Sequence, residues 1–269
     1  MQVSGAVSVV PVAASARRSR AMPGILSSLA VYLTMCGRFT YLYQWKQLQK
    51  LLLLTSWPDV ELSPHFNVAP TQAAPVVRQI AEGQRTGAML HWGLIPSWAD
   101  DPAIGGRLIN ARAETIAEKP AFRSAFTKRR CLAPVSGFYE WKKQELPKAP
   151  KQPFYIARAD REPLMLAGVW EHWERGGEAI DSFTIITTTP NAIMAELHDR
   201  MPVIVESEDV DRWLDPETTD AAAFTSILRP AADGVLEAIP VSTRVNTPKN
   251  DDPSLILPEV EPPQGLFGQ

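Results

Sequence analysis

Met35-Cys36-Gly37 has the form of a chain start, although 34 residues precede it. A terminal cysteine differs chemically from an internal one. Its α-amine has a pKa of about 7.7–8.0, against about 10.4 for lysine, so a useful fraction is neutral near pH 7. Amine and thiol together form a 1,2-aminothiol. With an aldehyde this gives an imine, and sulfur then closes on the imine carbon to make a five-membered thiazolidine. An internal cysteine has only an amide nitrogen and cannot react this way. Removal of Met35 ahead of the small Cys36 side chain would expose the reagent.

Further polar residues stand inside apolar motifs. These are Cys36-Gly37-Arg38, Asn67-Val68-Ala69-Pro70, Trp92-Gly93-Leu94-Ile95-Pro96-Ser97-Trp98, Asn110-Ala111-Arg112-Ala113-Glu114-Thr115, Gly137-Phe138-Tyr139-Glu140-Trp141 and His198-Asp199-Arg200-Met201-Pro202. Each is weak alone. His198 by itself reads as a helix cap or a core hydrogen-bonder. Glu140, between Tyr139 and Trp141 on a strand, either faces solvent by alternation or is buried with a raised pKa. Asn110 and Arg112 share a face if that stretch is extended, and equally suit a turn. Lys128-Arg129-Arg130 reads as a solvated edge more readily than as a DNA surface.

The elements that must position these residues are short. Tyr43–Leu54 has helical amphipathicity, rich in Leu, Gln and Lys. Ala74–Ile80 and Ala88–Trp92 read as strands about a Glu82-Gly83 turn. Glu114–Glu118, Ala121–Phe126, Asn191–Leu197 and Asp209–Leu214 suggest helices. Arg130–Ala133, Phe138–Trp141, Phe154–Ala157, Leu164–Val169, Phe183–Thr188 and Val203–Val205 read as extended. There is no parallel βαβ rhythm, internal repeat or Gly-rich phosphate loop. The expected architecture is α+β: a single compact domain with a curved, barrel-like, mostly antiparallel β core and short helices.

Composition narrows the classes. In 269 residues, 45% hydrophobic and 21% charged, there is enough apolar matter for a core, and 24 prolines argue against a helical bundle. Two cysteines make no disulfide framework and fit a reducing cytosol. Four histidines lack metal-ligand spacing, so no metal and no cofactor is expected. Net charge is −3 but uneven: residues 205–269 carry a balance of −9, and residues 1–204 one of +6. A DNA-binding face suits the first part and not the second.

Residues 1–34 contain Arg17, Arg18 and Arg20 and no acidic residue. They read as a removable leader or a misassigned upstream start. A lipoprotein signal needs a small residue before the cysteine, which Met35 is not, and Ile25–Thr34 is too short to span a bilayer. Residues 35–255 form the expected domain and 256–269 an acidic, Pro-rich tail.

In this order the six motifs closely resemble the SOS-response-associated peptidase family of abasic-site-processing proteins, over about residues 35–255. The resemblance implies a cytoplasmic monomer, nucleoid-associated when bound, acting on single-stranded DNA and its junctions with duplex. It implies a covalent crosslink to ring-opened abasic sites, with Cys36, Asn110, Glu140 and His198 catalytic. Thr187 would line the site, Arg38, Arg112 and Arg200 hold phosphates, and Pro70 and Trp98 splay the strand. Glu140 would shuttle protons, titrating near neutrality, and His198 would protonate the sugar oxygen. The departure is the leader, because the family's cysteine is the first residue of the mature chain. Two other classes suit a Cys-Gly opening: an N-terminal-nucleophile amidohydrolase, which predicts glutamine hydrolysis without DNA binding, and a non-enzymatic reader of modified bases, in which Cys36 is a core thiol.

Overall fold

Strand alternation and a glycine turn build the first long hairpin. Ala73–Ala81 and Gln84–Trp92 pair antiparallel, with Val77 opposite Gly87, around Gly83 at φ +66°. The computed structural model describes residues 37–142 and 151–259. In chain order these form β1 (Phe39–Tyr41), α1 (Trp45–Leu52), β2 (His65–Val68), β3 (Ala73–Ala81), β4 (Gln84–Trp92), β5 (Asn110–Arg112), α2 (Arg123–Lys128), β6 (Arg130–Val135), β7 (Gly137–Lys142), β8 (Gln152–Arg158), β9 (Leu164–Arg175), β10 (Glu178–Thr188), α3 (Ala192–Ala195), β11 (Met201–Pro202), α4 (Val210–Leu214) and β12 (Leu236–Pro240).

Strands β10, β4, β3, β6 and β9 pair in that order, and β9 pairs back to β10, closing a barrel with β5 and β11 as extra strands on β10. Closure removes the exposed edges that invite aggregation. The β10–β4 and β10–β5 pairings are parallel and the others antiparallel. A second, antiparallel sheet runs β12-β8-β7-β1-β2. The expected α+β class with a barrel core and short helices is therefore what the chain forms.

Local sequence explains most elements. In α1, Trp45, Leu48 and Leu52 fall on one buried face. Gln47 Oε1 accepts the Gln44 N–H at 2.8 Å, capping its start. The helix stops two residues short of expectation because Leu53 turns left-handed, at φ +54°. The first six residues of β9 are buried on both faces, and later ones alternate as its end reaches solvent. Trp92 is fully buried, with Phe39 at 4.6 Å between ring centroids and its indole N–H on the Ile109 carbonyl at 3.0 Å. Truncating such a residue costs about 3–5 kcal/mol.

Two expectations fail. Glu114–Glu118 is not a helix but a run of turns, with Thr115 N bonded to Arg112 O and Glu118 N to Thr115 O. The Ala113 N–H is taken by the Thr187 carbonyl at 2.8 Å, which draws the segment onto β10 before a helix can nucleate. Arg130 is not on a solvated edge. It is 2% exposed, and donates to the carbonyls of Trp213, Phe126, Thr127, Thr218 and Asp215 with its guanidinium over the Phe224 ring. Burial lowers its pKa to about 10.

The backbone stays packed to Glu259, whose N–H reaches the Pro240 carbonyl at 2.8 Å. No helix among the described residues is long and apolar enough to cross a membrane.

Candidate active site and nucleic-acid interface

Strands β4 and β5 lie along the same edge of β10. His91 and Trp92 pair with Ser182 and Phe183, and Asn110–Arg112 with Ile185–Thr187. Residues 93–109 are thus an excursion between two collinear strands, anchored at both ends. Strand alternation points Ala111 into the core at 1% exposure, placing Asn110 and Arg112 on the opposite side. Across β10, Thr187 stands opposite Pro202 of β11, the strand entered directly from His198-Asp199-Arg200. Asn110, Arg112, Thr187, His198 and Arg200 are therefore gathered on three adjacent strands and their ends.

Thr187 is 3% exposed, and its Oγ1 donates to the Ala111 carbonyl at 3.3 Å. Its own carbonyl accepts both the Ala113 N–H and Arg200 Nη2, at 2.8 and 2.6 Å. Arg200 also makes a fork with Glu114, Nη1 to Oε1 at 2.6 Å and Nη2 to Oε2 at 2.7 Å. That guanidinium holds the Glu114 carboxyl below its ordinary range. Arg112 is exposed, and its side chain makes no hydrogen bond or ion pair among the described residues.

His198 lies three residues beyond α3, its N–H on the Met194 carbonyl at 2.8 Å. Its Nδ1 lies 2.7 Å from Asp199 Oδ1 and 3.3 Å from the Arg200 N–H. These contacts need opposite proton positions. The shorter, charge-assisted one decides, so Nδ1 carries a proton that it donates to Asp199.

Arg38 and Glu140 belong to the second sheet. The Arg38 carbonyl accepts the Tyr139 N–H at 2.9 Å, joining the entry to β1 with β7 next to Glu140. Glu140 is 4% exposed, so of its two possible settings it takes the buried one. Its neighbours are fixed: Tyr139 Oη donates to the Phe66 carbonyl at 2.7 Å, and Trp141 Nε1 to Asn246 Oδ1 at 2.7 Å. Arg38 Nη1 donates to Asn67 Oδ1 and to the Val245 carbonyl, both at 2.8 Å, and burial lowers its pKa. Cys36 lies outside the described residues; the described chain opens at Gly37, two residues before β1. Cys131 is fully buried, and burial pushes its thiol far up. It is no nucleophile.

Trp98 is 59% exposed at the tip of the excursion between β4 and β5. The loop beneath it is held by the Ala99 carbonyl, which accepts Trp173 Nε1 at 2.8 Å, and by Ser182 Oγ on the Ile95 N–H at 2.8 Å. At its base Gly93 takes φ +133°, and a Cβ there would lie 2.6 Å from the Gly105 oxygen. Pro70 precedes Thr71, a left-handed residue at φ +71° whose N–H bonds the Trp92 carbonyl at 2.8 Å. The Pro70 turn thus abuts the base of the Trp98 loop.

Sequence reasoning gave no role to Asn67, Glu114 or the segment 243–252. Asn67 and Glu114 stood inside quoted motifs, a usable signal. The Val245 carbonyl carries none, because a backbone acceptor is the same in every residue. Among the described residues no group of three His, Cys, Asp or Glu could hold a metal ion.

Known proteins match this chain across the same region. The family model "SOS response associated peptidase (SRAP)" matches residues 35–248. The chain is 42% identical to Abasic site processing protein YoqW of Bacillus subtilis over 82% of this chain and 99% of that protein. It is 32% identical to Abasic site processing protein YedK of Escherichia coli, over 83% of this chain and 100% of that one. A solved protein from Bacteroides thetaiotaomicron aligns with a TM-score of 0.74 at 26% identity, covering 84% of this chain and all of that one. The strands that gather Asn110, Thr187 and His198 thus fall within a shared domain, and the chain belongs to the SOS response associated peptidase family.

Proposed function

We propose that this protein captures ring-opened abasic sites in single-stranded DNA, and at junctions with duplex, as a covalent thiazolidine on Cys36. The observation that carries this reading is the convergence of Asn110, Thr187 and His198 on β5, β10 and the entry to β11. The buried Glu140 belongs to the sheet that the chain joins just after Cys36. The names of the relatives, abasic site processing proteins, agree with it.

The reaction begins with ring opening of the abasic sugar. His198 Nε2–H gives a proton to the ring oxygen as the C1′–O4′ bond breaks, and the 1′-hydroxyl loses a proton to leave an aldehyde. The Cys36 amine, oriented by Asn110, adds to the aldehyde carbon. Glu140 relays a proton to the departing hydroxyl, water leaves, and an imine remains. Sulfur adds to the imine carbon while the thiol proton passes to nitrogen. The sum is one thiazolidine formed and one water lost, without a redox step or a cofactor.

Arg38, Arg112 and Arg200 hold flanking phosphates, with Arg38 also bracing the entry to β1. Trp98 stacks on an unpaired base while Pro70 wedges the strand open, the stacking contributing about 1–3 kcal/mol. Residues 35–255 are the working domain, and the protein acts as a cytoplasmic monomer. The Cys36 thiol, with Glu140 and His198, can also attack the Met35 carbonyl: the C–N bond breaks as the acyl group moves to sulfur and the Cys36 amine is freed, and water then hydrolyses the thioester to release residues 1–35.

The test is a denaturing gel of protein beginning at Cys36 with single-stranded DNA carrying one abasic site. A denaturation-resistant adduct is expected, lost in Cys36→Ala while non-covalent binding persists. A full-yield adduct from Cys36→Ala would refute the mechanism.

A further inference from the structure

We infer that Glu114 is a built-in stand-in for a DNA phosphate, occupying the Arg200 guanidinium until a phosphodiester with two unesterified oxygens displaces it. The inference deepens the proposed function, because it rests on Arg200 being a phosphate contact.

The fork is the first support. Arg200 Nη1 and Nη2 meet the two Glu114 oxygens at 2.6 and 2.7 Å, the parallel geometry in which arginine also holds the paired oxygens of a phosphate. The second support is asymmetry. The Arg200 side chain is only 15% exposed, and Nη2 is tied independently to the Thr187 carbonyl at 2.6 Å. The Glu114 side chain is 46% exposed and belongs to a run of turns after β5. The guanidinium therefore stays with β10 whichever anion it holds, and the carboxylate can swing into water at little desolvation cost.

The third support is the setting. Arg112, two residues before Glu114 and in register with Thr187, is exposed, and its side chain makes no hydrogen bond or ion pair among the described residues, its charge reaching Glu114 only through space. An incoming backbone meets one open cation and one occupied. Once a phosphate is on Arg112, its neighbour competes with Glu114 at high local concentration. A lone chloride or carboxylate has no such help. Glu114 thus makes Arg200 selective for a polymeric chain of phosphates over single small anions.

An ion pair with its carboxylate partner half in solvent is weak enough that removing it should tighten binding about two- to fivefold. The experiment measures binding of an undamaged single-stranded oligonucleotide by fluorescence anisotropy at fixed salt. It compares wild type, Glu114→Gln, Arg200→Ala and the double variant. Glu114→Gln should tighten binding in the wild-type background and much less in the Arg200→Ala background, where only its through-space effect on Arg112 remains. Glu114→Asp, which keeps the charge but is too short for the fork, should also tighten it, separating displacement from simple loss of negative charge. Unchanged or weaker binding by both Glu114 variants would overturn the inference. So would an equal gain with and without Arg200. A wild type that binds no single strand, or an Arg200→Ala protein that binds like wild type, overturns the parent reading instead, and the inference with it.

Discussion

Asn67 Oδ1 accepts a hydrogen bond from Arg38 Nη1 at 2.8 Å, and Asn67 Nδ2 faces the carbonyls of Val245, Thr247 and Asn250 at 3.2, 3.1 and 2.8 Å. One amide, 2% exposed, thus joins the entry to β1 to a segment more than 170 residues away. Arg38 is only two residues from Cys36 in sequence, so under the proposed chemistry a change in this amide should also be felt in crosslinking.

Replacing that amide should cost both stability and chemistry. Asn67→Ala takes one of its acceptors from Arg38 and the shared amide donor from the Val245, Thr247 and Asn250 carbonyls, and is expected to destabilise the fold by about 2–4 kcal/mol. Urea unfolding checks the stability loss. Crosslinking by the protein that remains folded should slow as well. An unchanged midpoint and an unchanged crosslinking rate would show that the amide is incidental.

Arg130 should prove a core residue despite its charge. Its five carbonyl partners and the Phe224 ring leave a methionine nothing to replace them with. Arg130→Met should lose about 3–5 kcal/mol, and Arg130→Lys should recover little, since an ammonium lacks the fork. DNA affinity of the folded fraction should not change, which distinguishes a structural arginine from a phosphate contact.

Arg112 and Trp98 should separate by salt. Arg112→Ala is expected to weaken binding to any single strand and to flatten the salt dependence by roughly one unit of slope or less. Trp98→Ala should weaken binding with the slope intact, because stacking releases no counterions. Affinities across a salt series decide, and an Arg112→Ala protein with the wild-type slope would remove Arg112 from the interface.

Acid should loosen the Glu114–Arg200 pair. Glu114 has its pKa lowered from 4.5, chiefly by the hydrogen bond from Arg200. A carboxylate depressed in the folded state contributes stability above its unfolded value, and that contribution disappears as pH falls through the folded one. Between pH 5 and the folded value, wild type should therefore lose slightly more melting temperature than Glu114→Gln. Identical acid profiles would mean the pair contributes nothing to folding.

Leader retention should silence the crosslink. With residues 1–35 attached, the Cys36 nitrogen is an amide and no thiazolidine closes. Intact mass of protein expressed from the full 269-residue frame shows whether the leader remains. If the protein removes it itself, Cys36→Ala should keep it. An uncleaved chain that crosslinks at the rate of the Cys36-start protein would defeat the aminothiol chemistry.

The residue types and their order were enough to identify the family and the fold class. A thiol two residues before Arg38, a carboxylate among aromatics at Glu140 and the series Asn110, Arg112, His198 are legible because side-chain chemistry is local. The hairpin of β3 and β4 and the helix α1 were legible too, since period and turn residues are local signals. Strands β1, β2, β5 and β12 were not. They run only three to five residues, and their extension is imposed by the neighbour they pair with rather than by their own sequence.

Tertiary structure alone decided the rest. It set β5 beside β10 in parallel, made a loop of the residues before Asn110 and thereby brought Asn110, Thr187 and His198 together. It buried Arg130, which has the same neighbours in sequence as a surface lysine would. It gave Arg38 the Val245 carbonyl and Arg200 the Thr187 carbonyl as partners. These are contacts between distant segments, many of them to backbone oxygens, and a carbonyl leaves no trace in the identity of the residue that carries it.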